Sequence, residues 1–327
     1  MAEKKDIHII AEIAQGYEGK PEYVHQFLET VKQTKADAIK FQIFYADELA
    51  LPDYQYYGLF KKLEIPFEIW AETVSKAHEA GLKFYSDVFG LRSLNELVQI
   101  GIDGIKIHAT DINNEILLKA VGQTGKPIFL ATGGCEKEEI KHALGFLRKC
   151  AVTLMFGFQA EPTEIIDNHL RRIPTLRDEF KLPVGFMDHT EGGTDLAYYL
   201  PFIAIGAGAT VIEKHMTLNR AQKMEDYISA LNADEFKEWS MRVKASAPAL
   251  GESRWQLTAK EKMYRNKVKR TVCAADNLQK GKKIKSEHLI LKRSASKDAF
   301  NDMREVIGKT LKENIKENTP ISKEILS

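Results

Sequence analysis

Short runs of apolar and β-branched residues recur along the chain, separated by longer stretches whose apolar positions fall at helical spacing. DIHIIAEIA, ADAIKFQIF, LKFYSDV, GIKIHAT, PIFLATG, VTLMFGF, PVGFMDH and TVIEKH read as strands. YVHQFLETVKQT, FEIWAETVSKAHEA, NEILLKAVGQ and EEIKHALGFLRKC read as helices, and a last helix is predicted over residues 233–250. Strand and helix alternate eight times by residue 215. Such alternation implies a parallel sheet, and eight units in about 250 residues match a closed (β/α)8 TIM barrel better than an open sheet.

The pattern changes after Leu250. GESRWQLTAKEKMYRNKVKR is polar and basic with no strand period, and the residues beyond it carry only short strand-like pieces (KRTVCAA, HLILKR, ENTPISKEIL) around the turn GKKI. The expected organisation is a catalytic barrel over residues 1–250, a linker over 251–266 and a small β-rich domain over 267–327. That last part is too small for a second catalytic core and suits an added binding or lid module.

Composition narrows the function. Lys+Arg number 47 against 46 Asp+Glu, so charge balance calls for neither nucleic acid nor a membrane surface as partner. Three cysteines without metal-type spacing suit a reducing compartment, and no apolar stretch reaches membrane-spanning length. The expectation is a cytoplasmic protein.

Candidate chemistry lies at strand ends, where barrels of this class place their reactive groups. Side-chain alternation puts Lys40 and Gln42 on one face of the second strand, Lys106, His108 and Thr110 on one face of the fourth, and Glu213 and His215 on one face of the eighth. Glu12 ends the first strand and His189 the seventh. A single strand-end histidine is ordinarily a hydrogen-bonded structural residue. Two on neighbouring strands could converge on one divalent cation that keeps open positions for substrate, with Asp111 adding a carboxylate directly or through water. Lys40 and Lys106 sit mid-strand among Ile and Phe, and a buried ammonium needs an anionic partner. That partner is a barrel carboxylate such as Glu12, or an anionic substrate held by both lysines; a Schiff-base lysine is a further alternative. ATGG (residues 131–134) offers backbone amides to a phosphate or makes a plain turn. Asp226 could bond a polyol or lie solvated, and the aromatic group over residues 54–60 could wall a pocket or pack a loop.

Taken in order, AEI, KFQIF, KI-x-A-x-D, ATGG, VGFMDHT, IEKHMTL and the terminal KR-containing module resemble the sialic acid synthase family, including its spore coat polysaccharide branch. The likeness runs over nearly the whole chain, and the tail resembles that family's antifreeze-protein-like (SAF) domain. The resemblance implies a barrel enzyme that condenses phosphoenolpyruvate with an aldose, such as an aminosugar, to a nonulosonic-type sugar acid for surface polysaccharide. It implies a divalent metal on His189 and His215, manganese in the first place with magnesium or cobalt as alternatives, and Asp111 where the family has a glutamate near the metal. Lys40 and Lys106 match the lysines that bind phosphoenolpyruvate, Glu12 the strand-one glutamate and Asp226 the sugar-binding aspartate. Arg293 matches the arginine that the C-terminal domain lends to a partner's active site, which implies a domain-swapped homodimer.

The chain departs from the family pattern where hydroxyls hold the donor. Ala109, Ala131 and Met187 stand at serine positions, Asp87 stands where a threonine helps bind the carboxylate, and Gln159-Ala160-Glu161 replaces an Asn-x-Tyr element. Each lost hydrogen bond to a charged group matters by roughly 1.5–3 kcal/mol. His108, Gln159 or the amides of ATGG are the candidate substitutes, His108 adding both charge and a donor if it is protonated. Two other readings stay open: a metal-dependent aldolase using pyruvate or another donor, and a non-catalytic sugar-acid-binding protein.

Overall fold

The computed structural model describes residues 6–253 and 255–327, and these divide after Gly251 into two compact units. In the first unit eight parallel strands run in chain order: β1 (His8–Ala14), β2 (Ala38–Gln42), β3 (Lys83–Asp87), β4 (Gly104–Ile107), β5 (Ile128–Ala131), β6 (Val152–Phe156), β7 (Val184–Asp188) and β8 (Val211–Thr217). Each pairs with the next, and β1 pairs with β8, closing the sheet into the expected barrel. A two-residue strand, Leu231–Asn232, extends β8 on its other side.

Helices follow the strands because their apolar residues recur every three or four positions. In Pro21–Val31 the buried residues are Val24, Phe27, Leu28 and Val31, one stripe facing the sheet. The last helix, Ala233–Ser246, begins with a capping box between Asn232 and Glu235, buries Phe236, Trp239 and Val243, and passes into a 3-10 turn over Ala247–Leu250. Full burial of each such large apolar side chain contributes about 1.5–3 kcal/mol.

Strand alternation divides the barrel residues into two cores. One set packs outward under the helices. The other fills the barrel itself: Ile10, Ala38, Tyr85, Phe129, Ala131, Met155, Met187 and Val211. Gly185 belongs to this inner set, since a Cβ there would lie 2.5 Å from Met155 Sδ. This apolar plug carries charged groups above it, toward the C-terminal strand ends.

Two local expectations are corrected. The basic stretch after residue 250 contains a helix, Ala259–Val268, opened by Thr258, which accepts from the Glu261 N–H. Lys, Arg and Glu fill half of its positions and it has no buried face, so apolar periodicity gave no sign of it. In the second unit, KRTVCAA and HLILKR supply the strands Thr271–Ala274 and Leu289–Lys292, as expected, and these pair antiparallel, whereas ENTPISKEIL forms only isolated bridges such as Cys273 with Pro320 and Leu311 with Leu326. Its small core is Val272, Leu278, Ile284, Val306, Leu311 and Ile321 with their neighbours. Among the described residues no helix is long and apolar enough to cross a membrane.

Candidate active site

The charged layer above the plug joins five strands. Lys40, on β2, is fully buried and bonds both Glu12 of β1 and Asp87 of β3, with Glu213 of β8 at 3.7 Å. Lys106, on β4, bonds Glu213. Two ammonium groups thus share three carboxylates inside the barrel. Burial alone disfavours the charged form of Lys40, yet Asp87, Glu12 and Glu213 outweigh it and raise its pKa. Asp87 and Glu213 are held below the usual carboxylate range, burial being overcome by the lysines. Glu12 goes the other way. Burial, reinforced by Glu213, pushes it up to about 8 against the pull of Lys40. Of the two kinds of partner that the buried lysines required, the structure supplies barrel carboxylates. Glu213 and Asp87 were the residues underweighted in the sequence, although alternation had put Glu213 on the inner face two residues before His215.

At the ends of β7 and β8, His189 and His215 meet with Nε2 atoms 3.3 Å apart and rings inclined at 65°. Burial lowers both imidazoles, His189 to about 4 and His215 well below its usual value, with the nearby lysines adding to the effect. Neutral imidazoles whose ring nitrogens converge are a donor set that fits a divalent cation, since each offers a lone pair without first losing a proton. No cluster of three or more His, Cys, Asp or Glu side chains suited to a metal occurs among the described residues, so such a cation would take its remaining ligands from water or substrate. Asp111 lies in a 3-10 turn after β4, where its carboxylate accepts from Asn114 at 2.8 Å and from the Thr110 hydroxyl at 3.2 Å.

His108 stands just beyond β4. Its Nε2 lies 3.1 Å from the Gln159 amide and its Nδ1 3.0 Å from the Thr110 hydroxyl. Burial depresses its pKa despite Asp87, so it is a neutral imidazole that can supply a hydrogen bond but not the positive charge considered from sequence. Gln42 accepts from the Gln15 amide at 2.9 Å. The carboxylates at the chain segments around Glu18, Glu161, Glu225 and Asp226 influence one another. Asp226, in a left-handed conformation, is pushed up to about 7 by burial and then by Glu161, against a backbone bond from Gln15. Glu161 and Glu225 are raised too, each by burial and by a neighbouring acid.

The barrel unit has two sizeable cavities, one of which is lined by Asp111. One of about 640 Å³ is lined by Asp111, Thr110, Phe89, Tyr54 and Phe60, so the aromatic group after β2 does wall a pocket. Another of about 720 Å³ is lined by Thr132, Gly133, Gly134, His169 and Arg172. Gly133 is required there because a Cβ would collide with the Gly157 carbonyl oxygen. In the second unit, Arg293 is exposed immediately after the strand Leu289–Lys292.

Known proteins share both units. Residues 27–254 match the NeuB family and residues 269–326 match the SAF domain. The chain is 28% identical to an N,N'-diacetyllegionaminic acid synthase from Legionella pneumophila, over 96% of this chain and 92% of that protein. It is 28% identical to a pseudaminic acid synthase from Campylobacter jejuni, over 95% and 94% of the two chains. Among solved structures, the N-acetylneuraminic acid synthetase of Leptospira borgpetersenii superposes with a TM-score of 0.75 at 26% identity, covering 82% of this chain and 94% of that one.

Proposed function

The chain belongs to the NeuB family, and from that premise we propose that it condenses phosphoenolpyruvate with an aldose, an aminosugar or a related sugar, to form a nonulosonic-type sugar acid for surface polysaccharide. The synthases to which it is similar along nearly their whole length support this reading. The single observation that carries it is the union, at one end of one barrel, of the His189–His215 pair with the Lys40 and Lys106 network.

In this reading His189 and His215 hold a divalent metal, manganese first, with magnesium or cobalt as alternatives. When bound, the metal supplies Lewis-acid polarisation of the acceptor carbonyl. Lys40 and Lys106 receive the anionic three-carbon donor and offset the charge that develops on it. Each lysine already has carboxylate partners, so donor entry exchanges one anionic partner for another and leaves no bare ammonium in the barrel. Glu12 holds Lys40 in place, His108 and Gln159 offer hydrogen bonds to the donor in place of the missing serine hydroxyls, and Gln42 and Asp226 face the acceptor side.

The functional unit in this reading is a domain-swapped homodimer in which Arg293 closes over the partner's sugar. Charge distribution supports it. Residues 252–327 carry nineteen Lys+Arg against ten Asp+Glu, while residues 1–251 carry twenty-eight against thirty-six. A basic unit of one subunit and an acidic barrel of another attract. Three free cysteines suit a cytoplasmic setting.

The test is to incubate the protein with manganese, phosphoenolpyruvate and a panel of aldoses, and to assay phosphate release. Release that depends on sugar supports the synthase. Sugar consumed with pyruvate alone would make the protein an aldolase, and ligand binding without turnover would make it a binding protein.

A further inference from the structure

The helix-facing side of β7 and β8 holds an ion pair that the proposed chemistry does not use. Asp188 and Lys214 are register partners on the two strands, both fully buried, with Oδ2 and Nζ 2.9 Å apart. Each immediately precedes one of the paired histidines, and by alternation each points to the opposite side of the sheet from its histidine. The preceding pair on the same face is apolar, Phe186 with Ile212, as expected where strands pack under helices.

We propose that Asp188 and Lys214 are positioning residues that fix how the imidazoles of His189 and His215 converge, a proposal that rests on reading those histidines as metal ligands. A buried ion pair contributes little to stability beyond what apolar residues of the same size would give. What it adds is an electrostatic link between two strands at one register. Here the link also grips the chain just past His189. Asp188 Oδ1 accepts from the Thr190 N–H at 2.9 Å, and Lys214 Nζ lies 3.4 Å from the Thr190 carbonyl oxygen, to which it donates. The His189 carbonyl is fixed separately, accepting from Thr163 N–H and from the Ser229 hydroxyl, both at 2.9 Å. The backbone on both sides of the His189–Thr190 peptide is therefore bonded, and the Lys214 end of the link precedes His215 by one residue. An imidazole pair that must present two nitrogens to one ion is sensitive to such outer support.

The experiment titrates manganese alone into metal-free protein by calorimetry and records the visible absorption of the cobalt(II)-loaded form. The double variant Asp188→Asn/Lys214→Met removes both charges, so neither is left unpaired, and Asp188→Asn alone is a near-isosteric second variant. Lys244→Met serves as control, because it breaks a different ion pair, with Asp37 at 2.8 Å near the start of β2. The expected result is manganese affinity about tenfold weaker in both Asp188 variants, with an altered cobalt spectrum, and wild-type values in the control. Affinity within twofold of wild type in the double variant, or an equal loss in the control, overturns the proposal. A wild-type protein that takes up no metal overturns it together with the metal reading, and is told apart because the failure appears before any substitution.

Discussion

Lys106 of β4 and Glu213 of β8 hydrogen bond inside the barrel although neither strand pairs with the other. The contact exists because the sheet closes, bringing half-turn neighbours face to face above a plug of Tyr85, Phe129, Met155 and Met187. Removing one partner strands the other. Glu213→Gln should lower barrel stability by about 3–5 kcal/mol, read by calorimetric unfolding at neutral pH. The double variant Lys106→Met/Glu213→Gln should regain most of that loss and remain inactive, separating the structural cost from the role of Lys106 toward the donor.

His189→Ala and His215→Ala should each abolish manganese binding while the far-UV circular dichroism spectrum stays as in wild type. The two Nε2 atoms lie only 3.3 Å apart, so neither imidazole replaces the other. Undiminished affinity in both variants, measured by calorimetric titration, would sink the metal site.

Burial lowers the His108 pKa, so its effect on catalysis should not vary between about pH 7 and 8, where the imidazole is neutral throughout. His108→Ala should raise KM for the three-carbon donor roughly tenfold, the scale of one hydrogen bond to a charged group, and leave KM for the sugar nearly unchanged. Adding Ala109→Ser and Ala131→Ser to that variant should restore part of the donor affinity. Steady-state kinetics with each substrate varied in turn decides the matter.

Asp226 is raised to about 7 in the folded chain, against an ordinary value near 3.9. Between those values the native state keeps a proton that the unfolded state has lost, so this group's stabilising contribution is full below about pH 4 and declines until pH 7. Asp226→Asn should therefore gain melting temperature relative to wild type as pH rises from 4 to 7, with no further gain above. The same variant should weaken sugar binding more than donor binding. A melting difference that is flat with pH would show that Asp226 ionises normally.

Arg293→Ala should lower turnover strongly with little change in melting temperature, because Arg293 is exposed and its proposed task lies in the partner's active site. Mixed with Lys106→Ala, it should regain activity as hybrid dimers form with one intact site. No recovery, once subunit exchange is demonstrated by mass spectrometry, counts against the swapped arrangement.

The sequence by itself determined the barrel, since alternation along a strand and three-to-four spacing along a helix are local properties that hold for each segment alone. The same alternation grouped Lys40 and Lys106, mid-strand, and His189 and His215, toward strand ends, as candidate inward-facing residues. It also left the tail's small strands legible and hid the helix Ala259–Val268, whose lack of a buried face leaves no periodic signal. Only tertiary structure decided the partners. Lys40 could have paired with any barrel carboxylate, and the parallel register of β2 with β1 and β3 gave it Glu12 and Asp87 from the two flanking strands. His108 could have been charged, and burial beside Lys106 made it neutral. The register of β7 with β8 set Asp188 and Lys214 face to face. Each of these outcomes depends on distance and desolvation between residues far apart in the chain, and both quantities exist only once the strands have paired and packed.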